Sequence, residues 1–161
     1  MTRSRTLCAS LCAIASVLPA VLVAQSLPFH QRVGLWLIDM TMLGKPHPGK
    51  ECISEESLAF QKRISEEVRK RNACSAAQIA HNPDGSWTES YTCTFADGKR
   101  TTTRSTFRGD FNSKFTATVA ANQGAPTTSV FTYVGPCPAG MHGGDVEMDG
   151  HIANTMTMFK H

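Results

Sequence analysis

From Gly34 to Met42 apolar and polar side chains fall with a period of two. Trp36, Ile38, Met40 and Met42 take one side of an extended chain, and Leu35, Leu37, Asp39 and Thr41 take the other. That alternation predicts a strand. Lys45-Pro-His-Pro-Gly49 follows; its two prolines carry no backbone N–H, so the segment is expected to be a loop. The period changes after Ser54. Phe60, Ile64 and Val68 recur every fourth residue, Ser54 is placed to cap, Glu55 and Glu56 follow it, and Arg69-Lys-Arg71 closes the run. This is the pattern of an amphipathic helix with charges matched to its dipole. Glu66 with Lys70 and Glu67 with Arg71 are spaced as i,i+4 pairs, and the charge run reads as a solvated helix face.

Beyond Ala73 the chain is rich in threonine and broken by turn residues. Asn82-Pro-Asp-Gly85 and Ala96-Asp-Gly-Lys99 are hairpin turns, Arg108-Gly109-Asp110 is expected as a strand-to-strand turn, and further strands are expected near Thr101–Phe107, Phe111–Ala120, Ser129–Val134 and Ile152–Met158. In the second of these Phe111, Phe115 and Val119 share a side, opposite Asn112, Lys114 and Thr118. About six or seven strands and one helix make a mainly β (α+β) fold: an antiparallel meander, open or as a half-barrel, with one amphipathic helix.

The chain start has a different character. Arg3 and Arg5 precede Thr6–Ala24, which carries no charge and contains Pro19 near its end. This is the layout of a signal peptide, cleaved after Ala24. The rival, a membrane anchor, would use almost the same run, since a span needs about 20 apolar residues; Pro19 and the small residues after it favour cleavage. Cys8 and Cys12 each follow a leucine, which excludes a lipid anchor. Residues 25–161 then form a single domain, with no membrane span left after cleavage.

Cleavage leaves Cys52, Cys74, Cys93 and Cys137, an even set without a C-x-x-C pair, which reads as two disulfides rather than a zinc site in an exported chain. With Asn82 opposite Gly85, Cys74 lies directly opposite Cys93, Trp87 faces Ala80 and Tyr91 faces Ala76. A bulged turn would shift the pairing by one residue and put the two cysteines on opposite faces. By elimination Cys52 pairs with Cys137.

These landmarks occur together and in order: Gly34-Leu-Trp36, Cys52 before a helix, Cys74 and Cys93 around a Gly-turn hairpin, Gly109-Asp110-Phe111, and Gly135-Pro-Cys-Pro138. Over most of residues 30–150 the chain resembles the proteobacterial domain of unknown function 3617 family, small exported proteins with four spaced cysteines. His142-Gly-Gly-Asp145 and Asp149-Gly150 resemble that family's Gly-rich tail. The resemblance implies a periplasmic location and no particular activity.

The chain carries +3, with 41% hydrophobic and 18% charged residues, which excludes a phosphate-gripping nucleic-acid binder and a disordered chain. It contains no nucleophile elbow, zinc-protease helix, phosphate loop or dinucleotide glycine pattern. Cys137 reads as a half-cystine, and Glu89 and Asp110 near Arg104 and Arg108 read as cross-strand ion pairs; no catalytic residue is assigned. Two constellations remain. Met141, His142, Met148, His151, Met156, Met158 and His161 are thioether and imidazole groups suited to Cu(I), against a reading in which Met156 and Met158, alternating in a strand, pack the core beside Met40 and Met42. Trp87, Glu89, Tyr91 and Phe95 share one strand face; with Ala96 opposite Lys99, Arg100, Arg104 and Arg108 join them, giving an aromatic–arginine face for a small ligand or an envelope protein. Arginine stems covering a half-buried sheet would look the same. The expectation is a non-enzymatic binding or structural module of the periplasm with no committed cofactor, the alternative being a Met/His copper-binding protein.

Overall fold

A computed structural model describes residues 30–122 and 124–158; the expected signal peptide and His161 lie outside them. Nine strands, β1 (Gly34–Met42), β2 (Lys45–Ile53), β3 (Gln78–His81), β4 (Trp87–Thr94), β5 (Arg100–Asp110), β6 (Lys114–Ala121), β7 (Thr127–Gly135), β8 (Asp145–Met148) and β9 (His151–Asn154), are joined by helix α1 (Glu55–Arg71) after β2 and a single turn of helix, α2 (Thr155–Met158), after β9. All pairs are antiparallel, in the order β3-β4-β5-β6-β7-β1-β2-β8-β9. The fold is mainly β, and the sheet is open, with β3 and β9 as its edges.

Chain order explains where the helix must go. It leaves β2 and has to deliver the chain to β3, six strand positions away, about 29 Å across a sheet. Its 17 residues span about 25 Å, so α1 bridges nearly the whole distance over one face. Ser54 caps it as expected, its hydroxyl accepting from the Ser57 amide while Ser57 Oγ accepts from the Ser54 amide. The cysteine pairs are Cys52–Cys137 and Cys74–Cys93. The first fastens the strand entering the helix to the loop after β7; the second fastens the segment leaving it, ahead of β3, to β4.

Under the helix lies the core. Trp36, Ile53 and Phe115 are buried, with Leu58, Phe111, Phe131 and Tyr133 packed against them. Phe115 stacks on Phe131 at 4.6 Å, and Trp36 meets the edges of Phe115 and Tyr133 at 5.5 Å. Trp36 Nε1 donates to the Arg32 carbonyl at 2.8 Å, and the Arg32 guanidinium lies 4.1 Å over the Tyr133 ring. The other face of the sheet is rich in threonine: Thr88, Thr106, Thr118, Thr128 and Thr41 are successive neighbours across five strands.

Four expectations are corrected. Lys45–Gly49 is not a loop but the first half of β2, paired with β1 along its whole length, while β8 pairs with β2 only from Gly49 to Glu51. Pro46 and Pro48 therefore stand on an open edge, where a missing N–H costs no ladder bond. The segment Phe111–Ser113 is a turn, not strand, since Asp110 pairs with Lys114 and the Ser113 amide donates to Asp110 O; correspondingly Arg108–Asp110 ends β5 rather than turning. The strand expected over Ile152–Met158 stops at Asn154, whose Oδ1 accepts from the Met156 amide and starts α2. Met156 and Met158 consequently do not alternate along a strand.

The fourth correction concerns register. Both glycine hairpins use three-residue loops. Asn82 pairs with Ser86 around Pro83–Gly85, and Phe95 with Lys99 around Ala96–Gly98. Gly85 and Gly98 both have φ +79, the left-handed residue that closes such a loop. Trp87 accordingly faces His81, with the rings stacked at 4.5 Å, rather than Ala80. Cys74 still faces Cys93 because the chain gains one residue of offset between Cys74 and β3.

Candidate functional site

One stripe of α1 looks at the sheet: Leu58, Gln61, Lys62, Ser65, Glu66, Arg69 and Lys70, three and four residues apart. Only Leu58 is apolar. A helix normally lays an apolar stripe against a sheet; here polar and charged side chains, which keep their ends in water, stand over an aromatic floor, and the two do not close. The result is a cleft of about 730 Å³ between α1 and the sheet. Its floor is Phe107 on β5, Phe115 and Ala117 on β6 and Phe131 on β7, with Phe111 from the β5–β6 turn packed on Phe115 at 4.6 Å. The stripe expected from periodicity, Phe60, Ile64 and Val68, is turned away from this cleft, and of the three only Phe60 is buried. Phe60 and Ile64 border a second cleft of about 810 Å³ towards α2, and Val68 is exposed.

Each end of the first cleft carries a carboxylate. At the start of the helix Glu51, the cross-strand neighbour of Trp36, is buried and accepts from Gln61 Nε2 at 2.9 Å. Burial pushes its carboxyl up to about 6, against the smaller opposite effect of the Gln61 bond. At the other end Glu89 on β4 pairs with Arg69 across the gap at 3.3 Å, and the Arg69 guanidinium lies 5.8 Å from the Tyr91 ring centre. Gln31 also lines the cleft, and its Nε2 is buried without a hydrogen-bond partner.

The residues expected to form one aromatic–arginine face are divided between two. Trp87, Glu89 and Tyr91 lie on the helix side, where β5 contributes Phe107, Ser105 and Thr103 as their neighbours; Arg100, Arg104 and Arg108 lie on the opposite side. The physical reason is the extra residue in the Ala96–Gly98 loop, which reverses the parity of β5 relative to β4. Arg108 pairs with Asp84 of the neighbouring hairpin. Asp110, the last residue of β5, accepts from Asn112 and Ser113 of the turn that follows, bonds that hold its carboxyl below the usual range. Glu66–Lys70 and Glu67–Arg71 form no ion pairs among the described residues.

The methionines and histidines of the C-terminal region are spread over several elements. His142 lies in the loop before β8, 3.5 Å from Asp145, and with Met156 borders the second cleft. Met148 ends β8 against Gly49, His151 and Met158 are exposed, and Met141 is half-buried in the loop. Among the described residues no three His, Cys, Asp or Glu side chains gather in a metal-binding group, and no helix is long and apolar enough to cross a membrane.

Gln31, Glu51, Gln61 and the phenylalanine floor went unnoticed in the sequence. A signal was available in α1: Gln61 and Ser65 sit one and two turns beyond Leu58, a weakly polar stripe between charged ones. Comparison with curated proteins and with solved structures returns no significant match. A family model described as a protein of unknown function, DUF3617, matches residues 31–152. That span takes in the floor, roof and both ends of the cleft together with the four disulfide-bonded cysteines, and the chain belongs to the DUF3617 family.

Proposed function

We propose that the protein is an exported binding module of the bacterial cell envelope that takes a small molecule in the cleft between α1 and the sheet. The observation that carries this reading is the mismatch between a mostly polar helix face and an aromatic floor, which leaves about 730 Å³ open, within the range of roughly 300–1,000 Å³ usual for ligand sites. Its apolar floor faces polar and charged groups on the helix, so the cleft offers an apolar surface together with groups that can orient a ligand. Export is supported by the charge-free run after Arg3 and Arg5 and by two disulfides, which persist in oxidising compartments. The copper reading draws on His142 and Met156 at the second cleft, yet the remaining thioethers and imidazoles stand elsewhere, so the first cleft is preferred.

The test combines location and occupancy. Full-length chain expressed in a Gram-negative host is recovered from the periplasm without residues 1–24, and the purified protein binds N-phenyl-1-naphthylamine saturably at one site. Ser65→Trp, which fills the cleft from the helix side, abolishes that binding, whereas Val134→Trp on the far face leaves it intact. An intact precursor in the cytosol overturns the exported assignment, and dye binding indifferent to Ser65→Trp overturns the cleft.

A further inference from the structure

We infer that the cleft binds a cationic amphiphile, its ammonium head on the Glu51 carboxylate and its apolar body along the phenylalanine floor. The inference rests on the cleft being the binding site. Glu51 shares a sheet face with that floor. It is the cross-strand neighbour of Trp36, whose ring meets Phe115, and its carboxyl rises to the helix, where Oε1 accepts from Gln61. The other oxygen, Oε2, has no partner among the described residues, yet it is not shut in. The one sealed and unpartnered side-chain atom among those residues is Gln31 Nε2. Glu51 Oε2 therefore reaches open space, and the cleft is the space that Glu51 borders.

The charge balance selects the head group. Glu51 is only 9% exposed, its one bond comes from a neutral amide, and no Lys, Arg or His among the described residues pairs with it. Buried charges in folded proteins are ordinarily paired. The other charges of the cleft do not supply the partner: Arg69 is engaged by Glu89, and Lys62, Glu66 and Lys70 are exposed, where water and salt screen them. A ligand carboxylate would meet Glu51 as a like charge in a poorly solvated site. A hydroxyl or amide could donate to Oε2 but would leave the charge unmatched, as Gln61 does. An ammonium donates and neutralises at once. The order β7-β1-β2 sets Glu51 two strand spacings, about 10 Å, from the strand that carries Phe131. The head group must therefore bring a long apolar body to reach the floor.

Displacement of N-phenyl-1-naphthylamine by decylamine, decanol and decanoate at pH 7.5, each below the concentration at which it aggregates, tests this on the full chain. Decylamine is expected to displace the dye at about tenfold lower concentration than either of the others, the worth of one hydrogen bond to a charged group. Glu51→Gln keeps dye binding and brings decylamine to the level of decanol. Glu67→Gln, the same charge change on the part of α1 that borders the second cleft, leaves the preference for the amine intact. If the dye binds but the three chains compete equally, decanol or decanoate wins, or Glu51→Gln retains the amine preference, the inference is overturned and the cleft remains a binding site. If the wild-type protein binds no dye, the cleft reading itself fails and this one with it.

Discussion

Gln61 on α1 and Glu51 on β2 meet at 2.9 Å, joining the helix's cleft-facing stripe directly to the sheet. The bond is made to a carboxyl that burial has pushed up to about 6 from 4.5. Between those two values the folded protein holds a proton that the unfolded chain has released, so stability falls as pH rises through the window and stays lower above it. A shift of this size corresponds to about 2 kcal/mol. Glu51→Gln keeps an acceptor for Gln61 and removes the charge. Its Tm should exceed that of the parent at pH 7.5 and match it near pH 4. A variant no more stable than the parent at pH 7.5 would show that Glu51 is solvated in the folded state.

The two disulfides close loops of different length, with separations of 85 and 19 residues. In the chain-entropy account they stabilise by about 4.5 and about 3 kcal/mol. Replacing Cys52 and Cys137 together by serine should therefore lower the urea midpoint more than replacing Cys74 and Cys93. The ordering has a structural counterpart: Cys52–Cys137 holds the loop whose Gly144 amide donates to Cys52 O at 2.8 Å, beside the helix cap. Equal midpoints for the two double variants would contradict the loop-length argument.

How far the fold was legible follows from what sets each feature. The β1 alternation, the Ser54 cap and the even cysteine set are local or compositional, and all three appear in the structure. The hairpin registers were not, because Asp-Gly serves both a two-residue loop and the end of a three-residue one. Asp84 and Asp97 take the second use, each accepting the amide two residues on, from Ser86 and Lys99. That single residue moved three arginines to the other face. The cleft was less legible still: Phe107, Phe115 and Phe131 come together only through the β5-β6-β7 register. Helix periodicity pointed to Phe60 and Ile64, which serve the neighbouring cleft.

Gly34 opens β1 where two strands and an aromatic ring converge. Its φ is +135, and a Cβ there would stand 2.4 Å from Gly135 O and 2.6 Å from Tyr133 Cε2. Gly34→Ala must displace either the β7 backbone or the ring that packs on Trp36. A loss of about 2–4 kcal/mol is expected, combining strain with disrupted packing. Gly44→Ala is the control, since Gly44 has φ +75 but nothing within 4 Å, so that only the conformational cost of about 1 kcal/mol applies. Similar urea midpoints for the two variants would show that the β1–β7 contact yields easily.

Asp84 separates turn chemistry from ion pairing. Its carboxyl is held at about 2, below the ordinary 3.8, first by the Ser86 hydroxyl and amide and only then by Arg108. The hydroxyl bond is 2.6 Å and the amide bond 3.0 Å. An exposed ion pair is weakened by water and salt, whereas hydrogen bonds inside a three-residue loop keep their geometry. Followed by NMR, the Asp84 carboxyl should titrate near 2, and Ser86→Ala should raise the midpoint more than Arg108→Ala does. Because the folded value lies below the unfolded one, the hairpin's contribution to stability is complete above about 3.8 and is lost as pH falls through about 2. Added salt should move the midpoint in the parent only slightly. If Arg108→Ala causes the larger rise, the turn is held by charge and the hydroxyl is incidental.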